Sequence, residues 1–231
     1  MKRNYSIAID GPAASGKSTA AKIVAKKLSF LYVDTGAMYR AFTLFLIENG
    51  KNPRSEGEAL SLLPLFEMKE DKEGHVYLKG RDVTSRVREN DVSNEVSYAC
   101  AYKAVREKMV ELQRKMAEDE SVVMDGRDIG TVVLPHADLK IYQVASVEAR
   151  AQRRYLENQK KGIPGTLEEI AKDIERRDYI DSHREHSPLR MAEDAIVLDT
   201  SNMTIEEEVE EILSLFSKKA GVKWNDTEQS L

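Results

Sequence analysis

Cysteine is almost missing. Cys100 is the single one in 231 residues, so no intrachain disulfide can form and no oxidising compartment is implied. No C-x-x-C pair offers thiolates to zinc. No apolar run approaches the ~18 residues of a membrane span. The apolar part of the opening MKRNYSIAID is too short for the h-region of a signal peptide. An excess of positive charge is lacking as well. At a net −5 the chain does not offer the basic surface that long nucleic acids or anionic membranes reward, although local arginine clusters can still bind small phosphates. No internal repeat is found. These absences leave the expectation of a soluble cytoplasmic globule with no nucleic-acid or membrane partner.

What is present supports a real core. Hydrophobic residues make up 41% and charged residues 32%, and the length suffices for one α/β domain with an inserted subdomain. Tyr5–Asp10, LYVDTG, VVMDG, Leu139–Val144 and Ala195–Ser201 read as buried strands separated by helical patterns. One such helix is expected from about Ala37 to Glu48, stopped by Asn49-Gly50. Strands alternating with helices predict a parallel sheet with both faces covered. Two segments break the rhythm. Phe66 to Val87 shows two short alternating strands around Lys72-Glu73-Gly74 and a third after Lys79-Gly80, which predicts a small antiparallel insertion. NQKKGIPGT separates two helices with glycines and a proline and reads as a mobile lid. Residues 220–231 read as a frayed tail.

The strongest motif is Gly11-Pro12-Ala13-Ala14-Ser15-Gly16-Lys17-Ser18, followed by Thr19, which fits G-x-x-x-x-G-K-[ST] at every fixed position. Its glycines let the loop curl so that backbone N–H groups face phosphate oxygens. The following helix contributes the positive end of its dipole, Lys17 reaches the outer phosphates, and the Ser18 hydroxyl suits Mg²⁺. A strand before the motif and a helical pattern after it favour this reading over a plain glycine turn. The acceptor is left open: water, a protein or a small molecule.

Three segments carry charges that packing does not explain. In DTGAMYR, Thr35 reads as an N-cap-like residue and Tyr39 as core, but Arg40 in the first helical turn opposes the dipole unless an anion sits beside it. In VVMDGRDIGT, an apolar strand ends at Asp125, a candidate for holding magnesium-bound water or an arginine. Arg127 and Asp128 follow at once. In LEEIAKDIERRDYIDSHREHSP, the stripe Leu167, Ile170, Ile174 continues at helical spacing into Arg177, Asp181 and Arg184. Charges on an inward face need partners, either an internal ion-pair network or a ligand cage. His183 and His186 lack further ligands for a closed metal site, and Cys100 reads as a small buried hydrophobe.

Together GPAASGKS, DTGAMYR, the insertion, VVMDGRDIGTVV and RRDYIDSHREHSPL resemble bacterial cytidylate kinases over about Tyr5 to Phe216. The first motif marks P-loop kinases broadly, whereas the others with the insertion are specific to this family. The resemblance implies a three-layer α/β/α fold with a five-stranded parallel sheet, an acceptor-binding insertion at 62–97 and a lid at 151–166. It implies a monomer that transfers the ATP γ-phosphoryl group to CMP or dCMP with Mg²⁺. By position it puts Arg40 and Arg127 on the acceptor phosphate, with Lys17 as the third catalytic cation. Ser97, Arg106, Asp128 and Arg184 would surround the cytosine, and Thr35, Arg177 and Asp181 would lie near the sugar. Arg150, Arg153 and Arg154 flank the lid and would reach the transferred group, and Ser18 and Asp125 would serve the metal. Residue physics alone leaves rivals open: another acceptor such as UMP, AMP or shikimate, a non-catalytic ATP-binding regulator, or nucleotide-gated nucleic-acid binding.

Overall fold

The computed structural model describes residues 3–71, 74–160 and 162–222. Five short apolar strands form its central sheet: β1 (Ser6–Asp10), β2 (Leu31–Asp34), β6 (Val122–Gly126), β7 (Leu139–Val144) and β8 (Ile196–Asp199). All pairings are parallel, in the order β2-β6-β1-β7-β8. Alternate residues of a strand face opposite ways, and β1, β2 and β6 each supply two cores. Ala8, Val33 and Met124 pack with Met38 and Phe42 of α2 (Thr35–Glu48) and Met109 of α5 (Lys103–Asp119). On the other face, Ile7, Ile9, Val123 and Ile141 pack with Val24 of α1 (Lys17–Leu28) and with Ile212 and Phe216 of α8 (Ile205–Ala220). Both faces of β1, β2 and β6 are covered, which explains why these strands read as apolar runs, whereas β7 and β8 join the second core alone and Val197 of β8 is 52% exposed.

Between α2 and α5 the chain makes α3 (Glu56–Leu62), a three-stranded antiparallel sheet of β3 (Met68–Glu70), β4 (Val76–Leu78) and β5 (Arg81–Asp82), and α4 (Asn90–Ala99). Phe66 and Leu78 anchor this insertion in the α2 core, with Phe66 edge-on to Phe42 at 5.1 Å. Of the expected turn, Lys72 and Glu73 lie outside the described residues; Gly74 has φ 82°. The other excursion is the hairpin of α6 (Val147–Lys160) and α7 (Leu167–His183). Residues 151–160 of the expected lid are helical, and Lys161 lies outside the described residues.

Three local readings are corrected. The helix expected at Ala37 begins at Thr35, because the Asp34 carboxylate accepts from the Ala37 N–H at 2.8 Å and is itself the N-cap. Thr35 is therefore helical rather than a cap, and Tyr39 and Arg40 lie in the second turn. Leu167 is not on the buried stripe. It is 43% exposed, at the first helical position inside the Thr166–Glu169 capping box, while Ile170 and Ile174 are buried. Of the tail expected over 220–231, Ala220 is instead the last residue of α8, which ends on Gly221 in the left-handed region; residues 223–231 lie outside the described residues.

Candidate active site

The loop between β1 and α1 is shaped by close approaches. A Cβ on Gly11 would sit 2.4 Å from the Gln143 carbonyl oxygen, so only glycine lets the chain leave β1 beside β7. Gly16 has φ 95° and starts α1 without a side-chain cap, which leaves the helix's first N–H groups to a ligand. The loop carbonyls are held from outside. Ser15 O accepts from Gln143 Nε2 at 2.6 Å and from Arg153 Nη1 at 3.0 Å. Lys17 folds back, its Nζ donating to Pro12 O at 2.9 Å. Burial, with Arg127 nearby, pulls its pKa down to about 7, although Asp125, Asp181 and Asp34 oppose the shift. An anionic phosphate would restore the full ammonium charge.

Strand register gathers carboxylates at the carboxyl ends of the sheet, where ligands of open α/β folds bind. Asp34 pairs in register with Asp125, and Asp10 with Gly126. Asp125 is buried and accepts from Ser18 Oγ at 2.7 Å and Tyr32 OH at 2.8 Å. Burial and then Asp34 push its pKa up, against Lys17 and Ser18. A hydroxyl and a carboxylate are hard oxygen donors and suit Mg²⁺, which uses few protein ligands and fills its octahedron with water and phosphate. Asp10 serves the next turn instead. It accepts from the N–H groups of Ile129 at 2.8 Å and Gly130 at 2.7 Å, and so pins the single π-helical turn Ile129–Val133 that follows Asp128.

The charged residues of the three puzzling segments meet across this edge. Arg40 Nη2 lies 3.3 and 3.2 Å from the two Asp34 oxygens, and Arg88 reaches the same carboxylate at 2.8 Å. Asp34 thus supplies the anion expected beside Arg40, although the buried Arg40 Nε has no hydrogen-bond partner. Burial raises Asp34, but the two arginines outweigh it and hold the carboxyl below its usual range. Arg127 Nε donates to Asp181 at 2.7 Å, and the buried Nε of Arg177 is unpartnered. Asp128 accepts from Arg106 at 2.6 Å with both side chains 4% exposed, and Arg184 stands 3.7 Å away. Arg184 also donates to Ser187 O, and Arg106 to Cys100 O at 3.0 Å, with its guanidinium over the Tyr39 ring. These charges form an ion-pair network, and the buried Nε atoms of Arg40, Arg106 and Arg177 are left as unpartnered donors.

One open cleft of about 1190 Å³ joins the loop of residues 13–19 to Arg40, Ser97, Arg127, Asp128 and Arg184. Arg153 and Arg154 also line it. Thr35 does not open into it directly: its hydroxyl donates to Asp125 O at 2.7 Å. Arg150 turns inward to Ala13 O at 2.9 Å and Asp178 at 2.6 Å. Cys100 is buried, as expected, but in the cleft wall beside Arg184. His183 stacks on Tyr179 at the exposed side of α7.

Sequence reasoning missed Arg88, Asp10, Asp178 and Glu208. Arg88 lies within the insertion, between β5 and α4, in a run of surface-like charges, and Asp178 sits among alternating acids and bases. Neither carries a spacing signal. Glu208 is a buried carboxylate beside the P-loop, with Oε1 unpartnered, yet its neighbours EEEVEE make it look like any first-turn acid. Asp10 alone was readable in principle, as an acid closing a buried strand.

A phosphate loop and a second, arginine-lined cage face each other over one row of parallel strand ends, the layout of a P-loop kinase for a small acceptor. The whole sequence narrows that class. The Cytidylate kinase family model matches residues 7–218, and the chain belongs to this family of nucleoside monophosphate kinases. It is 50% identical over 224 residues to a cytidylate kinase of Geobacillus sp., covering 96% of this chain and 100% of that one. Against the cytidylate kinase of Bacillus subtilis it is 49% identical over 223 residues, 95% and 100% of the two chains. Among solved structures, an uncharacterized protein from Eubacterium ventriosum superposes with a TM-score of 0.51 over 94% of this chain and 99% of that one. At 12% identity that likeness shows the fold alone.

Proposed function

We propose that this protein transfers the γ-phosphoryl group of ATP to CMP or dCMP, giving CDP or dCDP and ADP. The observation that carries this reading is the juxtaposition of the two cages, with the Arg106–Asp128–Arg184 cluster buried at the far side of the acceptor cage. A monophosphate is already largely dianionic at neutral pH and is its own nucleophile, so no general base is required. The protein's work is to align two repelling anions and neutralise moving charge. In this reading Lys17 leaves Pro12 for the donor phosphates, while Arg40 and Arg127 hold the acceptor phosphate. Ser18 and Asp125 would hold Mg²⁺, directly or through its water, and the ion would neutralise charge on the donor phosphates. Arg153 and Arg154 reach the donor side from α6; Arg150 acts from beneath the loop.

The base is read by Ser97, Arg106, Asp128 and Arg184. Cytosine offers an exocyclic N4 donor, which a carboxylate accepts; uracil presents an oxygen there and would face Asp128 as a repelling acceptor. Arg177 and Asp181 approach the sugar, with Thr35 behind them. The 62–97 insertion closes over the acceptor, 151–166 over the donor, and the enzyme acts as a cytoplasmic monomer. A coupled ADP-release assay with ATP and CMP, dCMP, UMP, AMP or shikimate tests the reading. Turnover with CMP and dCMP well above the others is expected. The absence of any acceptor-dependent turnover would instead favour a non-catalytic ATP-binding regulator.

A further inference from the structure

Ala13, in the middle of the phosphate loop, has both of its backbone polar groups taken by side chains from the α6–α7 hairpin. Its N–H donates to Asp178 Oδ1 at 3.1 Å, and its carbonyl accepts from Arg150 Nη1 at 2.9 Å. The same Nη1 donates to Asp178 Oδ2 at 2.6 Å, and Arg150 Nε is fixed on Ala145 O at 3.0 Å. The Arg150 side chain is 5% exposed and that of Asp178 23%. Next to this bracket Ala14 sits at φ 58°, a conformation that a non-glycine residue keeps only when its surroundings hold it. Ala14 also packs on a small separate core of Ala151, Ile170 and Ile174 from the same hairpin. The loop is therefore fastened to α6 and α7 by directed bonds as well as by packing.

Asp178 lies on α7 between Arg177 and Asp181, and Asp181 in turn takes Arg127. One stiff helix thus grips the donor loop at one residue and the acceptor cage at its neighbours. We infer that Asp178, with Arg150, is a positioning pair that couples the two nucleotide sites, so that filling one raises the affinity of the other. The inference rests on the assignment of Arg177 and Asp181 to the acceptor. Coupling of this kind is reciprocal and typically amounts to about 5- to 150-fold in affinity.

The test is calorimetric titration of CMP with and without Mg²⁺ and a non-hydrolysable ATP analogue, on wild type, Asp178→Asn, Arg150→Gln and Asp181→Asn. Asparagine keeps an oxygen for the Ala13 N–H but loses the ionic hold on Arg150. Wild type should bind CMP at least about fivefold tighter with the analogue present. Asp178→Asn and Arg150→Gln should bring that ratio to within about twofold of unity while leaving CMP affinity alone nearly unchanged. A merely structural role would lower binary affinity or melting temperature and leave the ratio intact. An intact ratio in either folded variant, or no coupling in wild type, overturns the inference. Should Asp178→Asn fail to fold, Arg150→Gln decides alone. Asp181→Asn reports separately: unchanged CMP affinity there would sink the acceptor assignment whatever the ratio does.

Discussion

Asp128 shows what a single carboxylate must do in this site. It neutralises Arg106 in a nearly dry environment and, in the proposed function, still presents acceptor capacity to a base. Truncation to alanine would strand Arg106, at a cost of about 3–5 kcal/mol for a broken buried pair, and would confound recognition with unfolding. Asp128→Asn keeps an acceptor for Arg106 but can also turn an NH₂ toward the base. Its CMP-over-UMP ratio of kcat/KM should fall about tenfold or more, with the KM for ATP nearly unchanged. An unchanged ratio removes Asp128 from base recognition. Arg40 permits a cleaner deletion, because Asp34 keeps Arg88 as partner. Arg40→Ala should weaken CMP far more than cytidine, since only CMP brings the phosphate, and equal losses in a binding titration would contradict a phosphate role.

At the scale of elements, the glycines separate tight joints from loose ones. Gly11→Ala would drive a Cβ against the Gln143 carbonyl, a backbone atom that cannot rotate away, so β1 must part from β7 just where the phosphate loop begins. A melting temperature lowered by several degrees and a raised KM for ATP are expected. Gly57, in the first turn of α3, meets nothing within 4 Å, and there alanine should stabilise by about 0.5–1 kcal/mol through helix propensity alone. Similar urea midpoints for the two variants would undo the distinction. The π-helical turn after β6 depends on a joint of another kind, the paired N–H groups held by Asp10.

That joint also gives the whole molecule a pH signature. Burial raises the Asp10 pKa to about 6 from 3.8, although the Gly130 and Ile129 N–H groups pull it down. Because the folded value lies above the unfolded one, its contribution is full below 3.8 and is lost as pH rises through about 6. The stability deficit of Asp10→Asn should therefore widen by about 2–3 kcal/mol as pH falls from 8 to 4, read from urea melts. A deficit independent of pH would rule this out. Asp34 and Asp181 work in the opposite sense: burial raises them, but arginines hold them below the usual range. Their stabilisation is present above the unfolded carboxylate pKa and is lost as pH falls through their folded values, so acid unfolding sets in below about pH 4.

The sequence by itself determined the sheet, the phosphate loop and the list of arginines needing anions. Apolar runs have one way to be buried, and the glycine spacing of GPAASGKS has few other uses. Local chemistry was less legible: Asp34 rather than Thr35 caps α2, since capping depends on which oxygen the strand end aims at Ala37. Only the tertiary structure decided which charges are shared. Asp34 between Arg40 and Arg88, Asp128 between Arg106 and Arg184, and Asp178 with Arg150 on Ala13 join residues up to 165 positions apart. Charge pairing acts over a few ångströms and carries no periodicity, so it is written in the packing of elements and not in their spacing along the chain.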